Sequence, residues 1–202
     1  MAIKFQYNKT ALGELDKQLK IRTRALPTIK SKESALRMEV KKAKDTVAGY
    51  TRSIDEMVER YDYMAALWGE FDRELLRVKD IELSIVKIAG VRIPELKKIL
   101  FEQKEYDIFS APVWTTDGMD ILKELTSMGL ERELVQRRME LLDHARKKTT
   151  QKVNLYEKVQ IPGYEDAILK IKRFLEDEEN LSKSSQKIVK NRYQTEGTEA
   201  GV

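Results

Sequence analysis

The chain has 202 residues, of which 41% are hydrophobic and 36% charged, and it contains only 9 glycines and 4 prolines. This composition is apolar enough to fold, but it is too charged for a compact globule and matches that of long helices and coiled coils. Cysteine is absent, which excludes disulfides and thiolate metal sites and fits a reducing cytoplasm.

Neither a leader nor a membrane span is predicted. The first ten residues lack the apolar stretch of a signal peptide, and no run approaches 18 apolar residues. We therefore expect a cytoplasmic protein with no direct membrane insertion.

Charge is distributed unevenly, although the net charge is only +4. Residues 1–44 carry 12 Lys and Arg against 4 Asp and Glu, a net of +8, whereas residues 55–82 carry 4 against 9, a net of −5. Two interpretations stay open: a solvated helix surface, or a basic end that works inside an acidic partner.

Apolar residues recur at alternating steps of three and four along the N-terminal part of the chain. Only Arg22 and Glu33 are polar in this first seam, which consists of Leu12, Leu15, Leu19, Arg22, Leu26, Ile29, Glu33, Leu36, Val40, Ala43, Val47, Tyr50, Ile54, Met57, Tyr61, Met64, Trp68, Phe71, Leu75 and Val78. Such a heptad repeat predicts a supercoiled helix over residues 8–79, about 110 Å long at 1.5 Å per residue.

Two local signals refine this first helix. Residues 8–10 can cap its start through Asn8 or Thr10. Pro27 removes a backbone donor and predicts a kink, and the seam continues in phase across it, which argues against a break.

Near residue 80 the apolar period changes from 3.5 to 2, which is typical of a strand. Ile81, Leu83 and Ile85 alternate with polar residues, and Gly90 and Pro94 are turn material. With a second extended stretch within 97–109 and a loop over 110–118, the sequence predicts a small insert at 81–118 that contains a β-hairpin.

A helical pattern resumes at Met119 and predicts an arm over 119–192, with a candidate break at Gly129 and a flexible tail over 193–202. A second seam slips by one residue at Pro162. It consists of Val135, Met139, Leu142, Arg146, Thr149, Val153 and Tyr156, followed by Ile161, Tyr164, Ile168, Ile171 and Leu175.

Two long helices joined by a short insert must run antiparallel. The predicted fold is therefore mainly α: a long antiparallel two-helix coiled coil with a small middle insert. Its parts are the first helix at 1–80, the insert at 81–118, the second arm at 119–192 and the tail at 193–202, all in a single structural domain.

Catalytic, cofactor and metal sites are not indicated. His144 is the only histidine, and on a charged helix it is expected at the surface. No glycine-rich phosphate loop occurs, and the carboxylates spread over helix faces. The pI is about 9.0, but the basic clusters are short and interleaved with acidic residues, which argues against nucleic-acid binding.

The residues alone therefore favour a non-enzymatic mechanical or scaffolding protein. A free-standing coiled-coil adaptor is the main alternative, followed by a nucleic-acid scaffold and, last, an enzyme.

Three segments resemble the D subunit of the V-type and A-type rotary ATPases, the central shaft of those motors. They are residues 152–162 (KVNLYEKVQIP) with Ile168, Ile171 and the acidic 176–179 behind them, residues 88–94 (IAGVRIP), and residues 30–36 (KSKESAL). Leu26–Pro27, Glu33 and residues 180–187 depart from the family pattern, which suggests a divergent bacterial member.

The resemblance implies a non-catalytic rotor subunit that transmits torque between the catalytic head and the membrane ring. It implies a coiled coil inside the head, and a middle region that meets a small central-stalk subunit and the socket subunit above the ring. The insert 81–118 and the adjacent helix ends are expected to contact the small subunit. Acidic loops of the head are expected to meet a set of basic residues: Lys17, Lys20, Arg22, Arg24, Lys30 and Lys32.

Overall fold

The computed structural model describes residues 3–107, 109 and 111–199. The elements in chain order are helix α1 (Lys9–Arg60), a 3₁₀ turn (Asp62–Met64), the short helix α2 (Ala65–Trp68), strands β1 (Leu76–Ile88) and β2 (Val91–Gln103), helix α3 (Thr115–Asn154), a π-helical turn (Leu155–Gln160) and helix α4 (Ile161–Glu199). The predicted fold class is confirmed: long helices flank one antiparallel hairpin.

The chain divides into two compact units. The terminal unit comprises residues 1–31 and 150–202, and the middle unit comprises residues 32–149. Each has its own apolar core.

In the terminal unit, the start of α1 packs antiparallel against α4. Its core contains Leu15 from α1 and Ala167, Ile168 and Ile171 from α4, all of which are seam residues except Ala167. The N-terminal segment lies over this core, and Ile3 lies so close to Gly163 that a Cβ there would be 3.1 Å from the Ile3 Cδ1 atom.

In the middle unit, the rest of α1 packs antiparallel against α3. Leu36 meets Leu142 and Ile93 in a core in which all three side chains are at most 1% exposed. Further along, Glu39 pairs with Arg138 at 3.1 Å. The seam residues thus face each other as the heptad pattern predicts.

Strands β1 and β2 form an antiparallel hairpin joined by Ala89 and Gly90. Both turn residues have positive φ, +49° and +81°, as a two-residue hairpin turn requires. Bulges interrupt the register between Val78 and Asp80 and between Glu82 and Leu83. The predicted hairpin is therefore confirmed, although Pro94 lies within β2 opposite Ile85. A proline is tolerated there because both strands are edge strands.

The first helix ends well before the predicted residue 80. Helix α1 stops at Arg60, and the chain then turns back through α2 before β1 begins at Leu76. Most of the last seam residues still pack inside the unit: Met64 and Leu75 are buried, and Trp68 meets Trp114 edge-on, whereas Val78 is 40% exposed. Met64, Trp68 and Leu75 thus keep heptad spacing in the sequence although they pack in short turns and not in a continuous helix.

Three further boundaries differ from the prediction. Helix α3 starts at Thr115, inside the predicted loop, and passes through Gly129 without the candidate break. A single glycine costs a long helix only about 1 kcal/mol, which is too little to end it. Residues 108 and 110 of the predicted insert lie outside the described residues. Helix α4 continues to Glu199, seven residues into the predicted flexible tail, whose last three residues also lie outside them.

Both prolines lie close to or within long helical segments. Helix α1 continues through Pro27, in agreement with the in-phase seam. Pro162 lies just after the π-helical turn at 155–160. A π turn adds one residue to a helix, which accounts for the one-residue slip of the second seam at that place.

Candidate interaction surfaces

The predicted basic residues of α1 divide into exposed and engaged members. Lys17 and Arg24 are exposed in the terminal unit, and Lys32 is exposed in the middle unit. Lys20 pairs with Asp16 at 2.7 Å, but the lysine side chain is still 65% exposed. Pairs this exposed contribute little to stability, so these cations stay available to an acidic partner.

Arg22 faces the neighbouring helix instead of solvent. Its Nε atom donates a hydrogen bond to Gln160 at 2.7 Å, and its Nη1 atom donates to the side chain of Gln18 at 2.5 Å. Its guanidinium carbon lies 4.7 Å from the ring centre of Tyr164 and 5.9 Å from that of Tyr156. We call these contacts the Arg22 clasp. Because of them, Arg22 does not belong with the exposed basic residues of α1.

Lys30 is also engaged, because its Nζ atom lies 2.6 Å from the Glu157 carboxylate. Both side chains remain nearly half exposed, so the pair can be exchanged for an external partner at small cost. Lys17, Lys20 and Arg24 are therefore the exposed basic groups of α1 in the terminal unit, with Lys20 paired to Asp16, whereas Arg22 and Lys30 contact the opposite helix.

An apolar groove of about 550 Å³ lies in the middle unit, between the end of α1, the start of α3 and the base of the hairpin. Its walls include Val58, Trp68, Phe71, Phe101 and Leu125. Val58 is 53% exposed within this apolar lining. The sequence did not predict this groove, because Trp68 and Phe71 were expected to lie in the seam of a continuous helix.

The floor of this groove adjoins an aromatic cluster. The ring of Trp68 meets that of Trp114 edge-on, with centroids 5.5 Å apart, and Phe71 contacts both rings. Such contacts stabilise a cluster beyond the burial of its area, which gives the groove a firm wall.

The hairpin also presents apolar side chains to solvent. Leu83 is 50% exposed and Ile85 is 73% exposed, and they share one face of the sheet with the charged pair Lys87 and Arg92. The groove and this hairpin face are thus two exposed apolar surfaces of the middle unit.

Electrostatic perturbations are few. The phenol of Tyr50 donates a hydrogen bond to the Glu131 carboxylate, which raises the pKa of Tyr50, with burial as a second cause. Hydrogen bonds from Lys147 and then Arg146 lower the pKa of Asp143. The Tyr50–Glu131 hydrogen bond joins α1 to α3, whereas the contacts of Asp143 lie within α3, so both have a structural explanation.

His144 is exposed on α3, as predicted. Within the described residues, no group of three or more His, Asp or Glu side chains could hold a metal ion. None of the described helices has a stretch both long enough and apolar enough to cross a membrane.

Known proteins resemble this chain over most of its length. A family model for the D subunit of ATP synthase matches residues 11–191. The D subunit of the V-type ATP synthase from Borreliella burgdorferi is 30% identical over 93% of this chain and 94% of its own length. Proteins of the same name from Chlamydia trachomatis and Chlamydia pneumoniae are 28% and 24% identical, over 84% and 96% of this chain and 86% and 95% of their own lengths.

Proposed function

Because this chain belongs to the family of ATP synthase D subunits, we propose that it is the non-catalytic central shaft of a V-type rotary ATPase. In this role it carries torque between ATP hydrolysis or synthesis in a catalytic head and ion translocation through a membrane ring. The family match across residues 11–191 is the observation that carries the proposal.

Paired helices suit this task. In each unit, apolar residues of α1 pack against those of a second long helix, which is α4 in the terminal unit and α3 in the middle unit. Packing of this kind makes the two helices turn together where these cores lie. The half-buried ion pair between Arg138 and Glu39 in the middle unit helps to fix the axial position of α1 against α3.

The terminal unit is the part that we assign to the catalytic head. Its exposed basic residues Lys17, Lys20 and Arg24 present positive charge that acidic loops of a surrounding head would attract. Long-range attraction of this kind orients a shaft inside a bore without fixing it in one position, because exposed charges form no tight contacts.

The middle unit is the part that we assign to the small central-stalk subunit and the socket subunit. The apolar groove and the hairpin face expose valine, leucine and isoleucine, which a partner would bury. The proposed location is cytoplasmic and peripheral to the membrane, as part of the complex.

Co-purification of a tagged chain with the other ATPase subunits tests this assignment. Val58→Glu places a charge in the groove and is expected to remove the small-stalk or socket subunit from the complex. Met38→Glu is the matched control, because Met38 is also on α1 in the middle unit and is 71% exposed, but outside the groove. A wild-type chain that purifies alone, with no other ATPase component, would support the free-standing adaptor and refute the shaft.

The head contact has a separate test. Reversing three charges together (Lys17→Glu, Lys20→Glu and Arg24→Glu) is expected to weaken binding to the catalytic head at least tenfold and to uncouple ATP hydrolysis. The same change at Lys41, Lys42 and Lys44 alters the charge of α1 equally, but in the middle unit. Equal losses in both triple variants would contradict a contact made by the terminal unit.

A further inference from the structure

The core of the terminal unit occupies only one part of it. Leu15, Ala167, Ile168 and Ile171 are buried, whereas no side chain in residues 16–31 or 150–166, all of which are described, is buried. The apolar side chains of this part, among them Leu19 and Tyr164, are only half-buried. A helix pair with a half-exposed seam gains less stability from tertiary packing than the core does, so this part can open at lower cost.

The π-helical turn lies within this weakly packed part. Residues 155–160 contain the extra residue that shifts the second seam by one position. Pro162 follows two residues later and has no N–H to donate. In a regular α-helix, its ring would collide with the carbonyl of Lys158, and a widened turn gives the ring room. Pro162 thus favours the π turn over a regular helix at this place.

Arg22 contacts this turn from helix α1. It donates to Gln160, the last residue of the turn, and its guanidinium lies near Tyr156 within the turn and Tyr164 beyond it. Lys30 and Lys152 add weaker, more exposed contacts, to Glu157 and to the ring of Tyr156 respectively. The half-buried Arg22 side chain therefore contacts Tyr156 within the turn, Gln160 at its last residue and Tyr164 beyond it.

We propose that residues 155–160 form a register joint, a turn that opens locally while the core around Ile171 stays folded, and that Arg22 is the residue that holds it closed. When closed, the clasp fixes the extra residue between Tyr156 and Gln160. When the clasp releases, α4 can change its twist relative to the end of α3 within the terminal unit. The joint is a property of the isolated chain and does not depend on the shaft function.

Amide hydrogen exchange of the full-length chain, read by mass spectrometry, tests the joint. In the wild type, amides in 154–166 are expected to exchange at least about tenfold faster than those in 167–175. Arg22→Ala is expected to accelerate exchange in 154–166 by a further factor of about ten and to leave 167–175 within about twofold. Arg24→Ala, an exposed arginine on the same helix, is the control and should change neither segment.

A second variant removes the extra residue itself. Deletion of Lys158 together with Pro162→Ala restores an uninterrupted heptad and is expected to slow exchange in 154–166 by about tenfold or more. The proposal is wrong if wild-type 154–166 exchanges as slowly as 167–175, if Arg22→Ala and Arg24→Ala behave alike, or if the deletion variant exchanges as fast as wild type. Should the deletion variant lose its helical circular dichroism, the comparison of the two arginine variants decides.

Discussion

Gly118 occupies a place where a larger residue would strike two tryptophans. A Cβ at this position would lie 2.8 Å from the Cζ3 atom of Trp114 and 3.4 Å from that of Trp68. The indoles form part of the packed aromatic cluster, so they cannot move away freely. Gly118→Ala is expected to lower the free energy of unfolding by about 1–3 kcal/mol, as measured by urea denaturation.

Gly129 on the same helix is the matched control. Nothing lies within 4 Å of the position of a Cβ there. Because alanine favours helix more than glycine, Gly129→Ala is expected to raise the free energy of unfolding by about 0.5–1 kcal/mol. A destabilised Gly129→Ala variant would indicate that helix α3, not the aromatic cluster, is sensitive at glycine positions.

Tyr50 gives the middle unit a defined response to alkaline pH. Its hydrogen bond to Glu131 raises the pKa of the phenol in the folded state. A raised folded pKa means that the stabilisation is complete below the ordinary tyrosine pKa, about 10, and is lost as the pH rises through the folded value. Tyr50→Phe is expected to cost about 1 kcal/mol at pH 7, measured by urea denaturation, and the difference should shrink above pH 10.

Arg22 illustrates what the sequence discloses about a single residue. The heptad pattern places Arg22 in the apolar seam, and a cation at such a position indicates an unusual contact. Its partners could not be predicted, because the one-residue slip near Pro162 changes which residue of the second helix lies opposite. Lys17 and Arg24 are exposed, in line with their positions off the seam.

At the scale of the element, the two-residue hairpin turn places the strictest demand on backbone conformation. Ala89 adopts a φ of +49°, which costs a residue with a side chain about 1 kcal/mol or more. Ala89→Asn is expected to stabilise the chain by about 0.5 kcal/mol, since asparagine tolerates this conformation, whereas Ala89→Val should destabilise it by about 1 kcal/mol or more. Thermal unfolding followed by circular dichroism measures both, and a shift of the same sign for both would refute the argument.

Element types were predictable, whereas element ends were not. Periods of 3.5 and 2 correctly assigned α1, β1 and α4, because those patterns follow directly from which face is buried. The end of α1 at Arg60 was missed, since Met64, Trp68 and Phe71 keep helical spacing while they pack in a compact turn. The phase slip did record the π turn, but a slip alone does not say how the backbone absorbs it.

For the whole molecule, each unit depends on a small core of its own. Leu142 in the middle unit and Ile171 in the terminal unit are fully buried in separate clusters. Replacing either with alanine is expected to cost about 2–5 kcal/mol. In hydrogen exchange, Leu142→Ala is expected to accelerate the amides of residues 32–149 relative to wild type. Ile171→Ala is expected to accelerate those of residues 1–31 and 150–199. Uniform acceleration along the chain in either variant would contradict separate cores.

The sequence predicted the mainly α fold and the family, but not the surfaces that we assign to partners. The family signature and the heptads are local patterns, so they can be recognised along the chain without knowledge of the fold. The apolar groove is assembled from α1, α2, both strands and α3, so no segment contains its signal. The exposure of Val58 within this apolar lining is visible only in three dimensions.

The hairpin has a bearing on how the chain behaves before it meets any partner. A two-stranded ribbon has no inner strand, so both outer rims carry backbone groups that another copy could pair with. Such edge-to-edge pairing is opposed by the charges of Lys79, Lys97 and Lys98 and by Pro94, which has no backbone N–H to donate. The same ribbon that exposes Ile85 can therefore remain unassociated in a crowded cell while the chain awaits assembly.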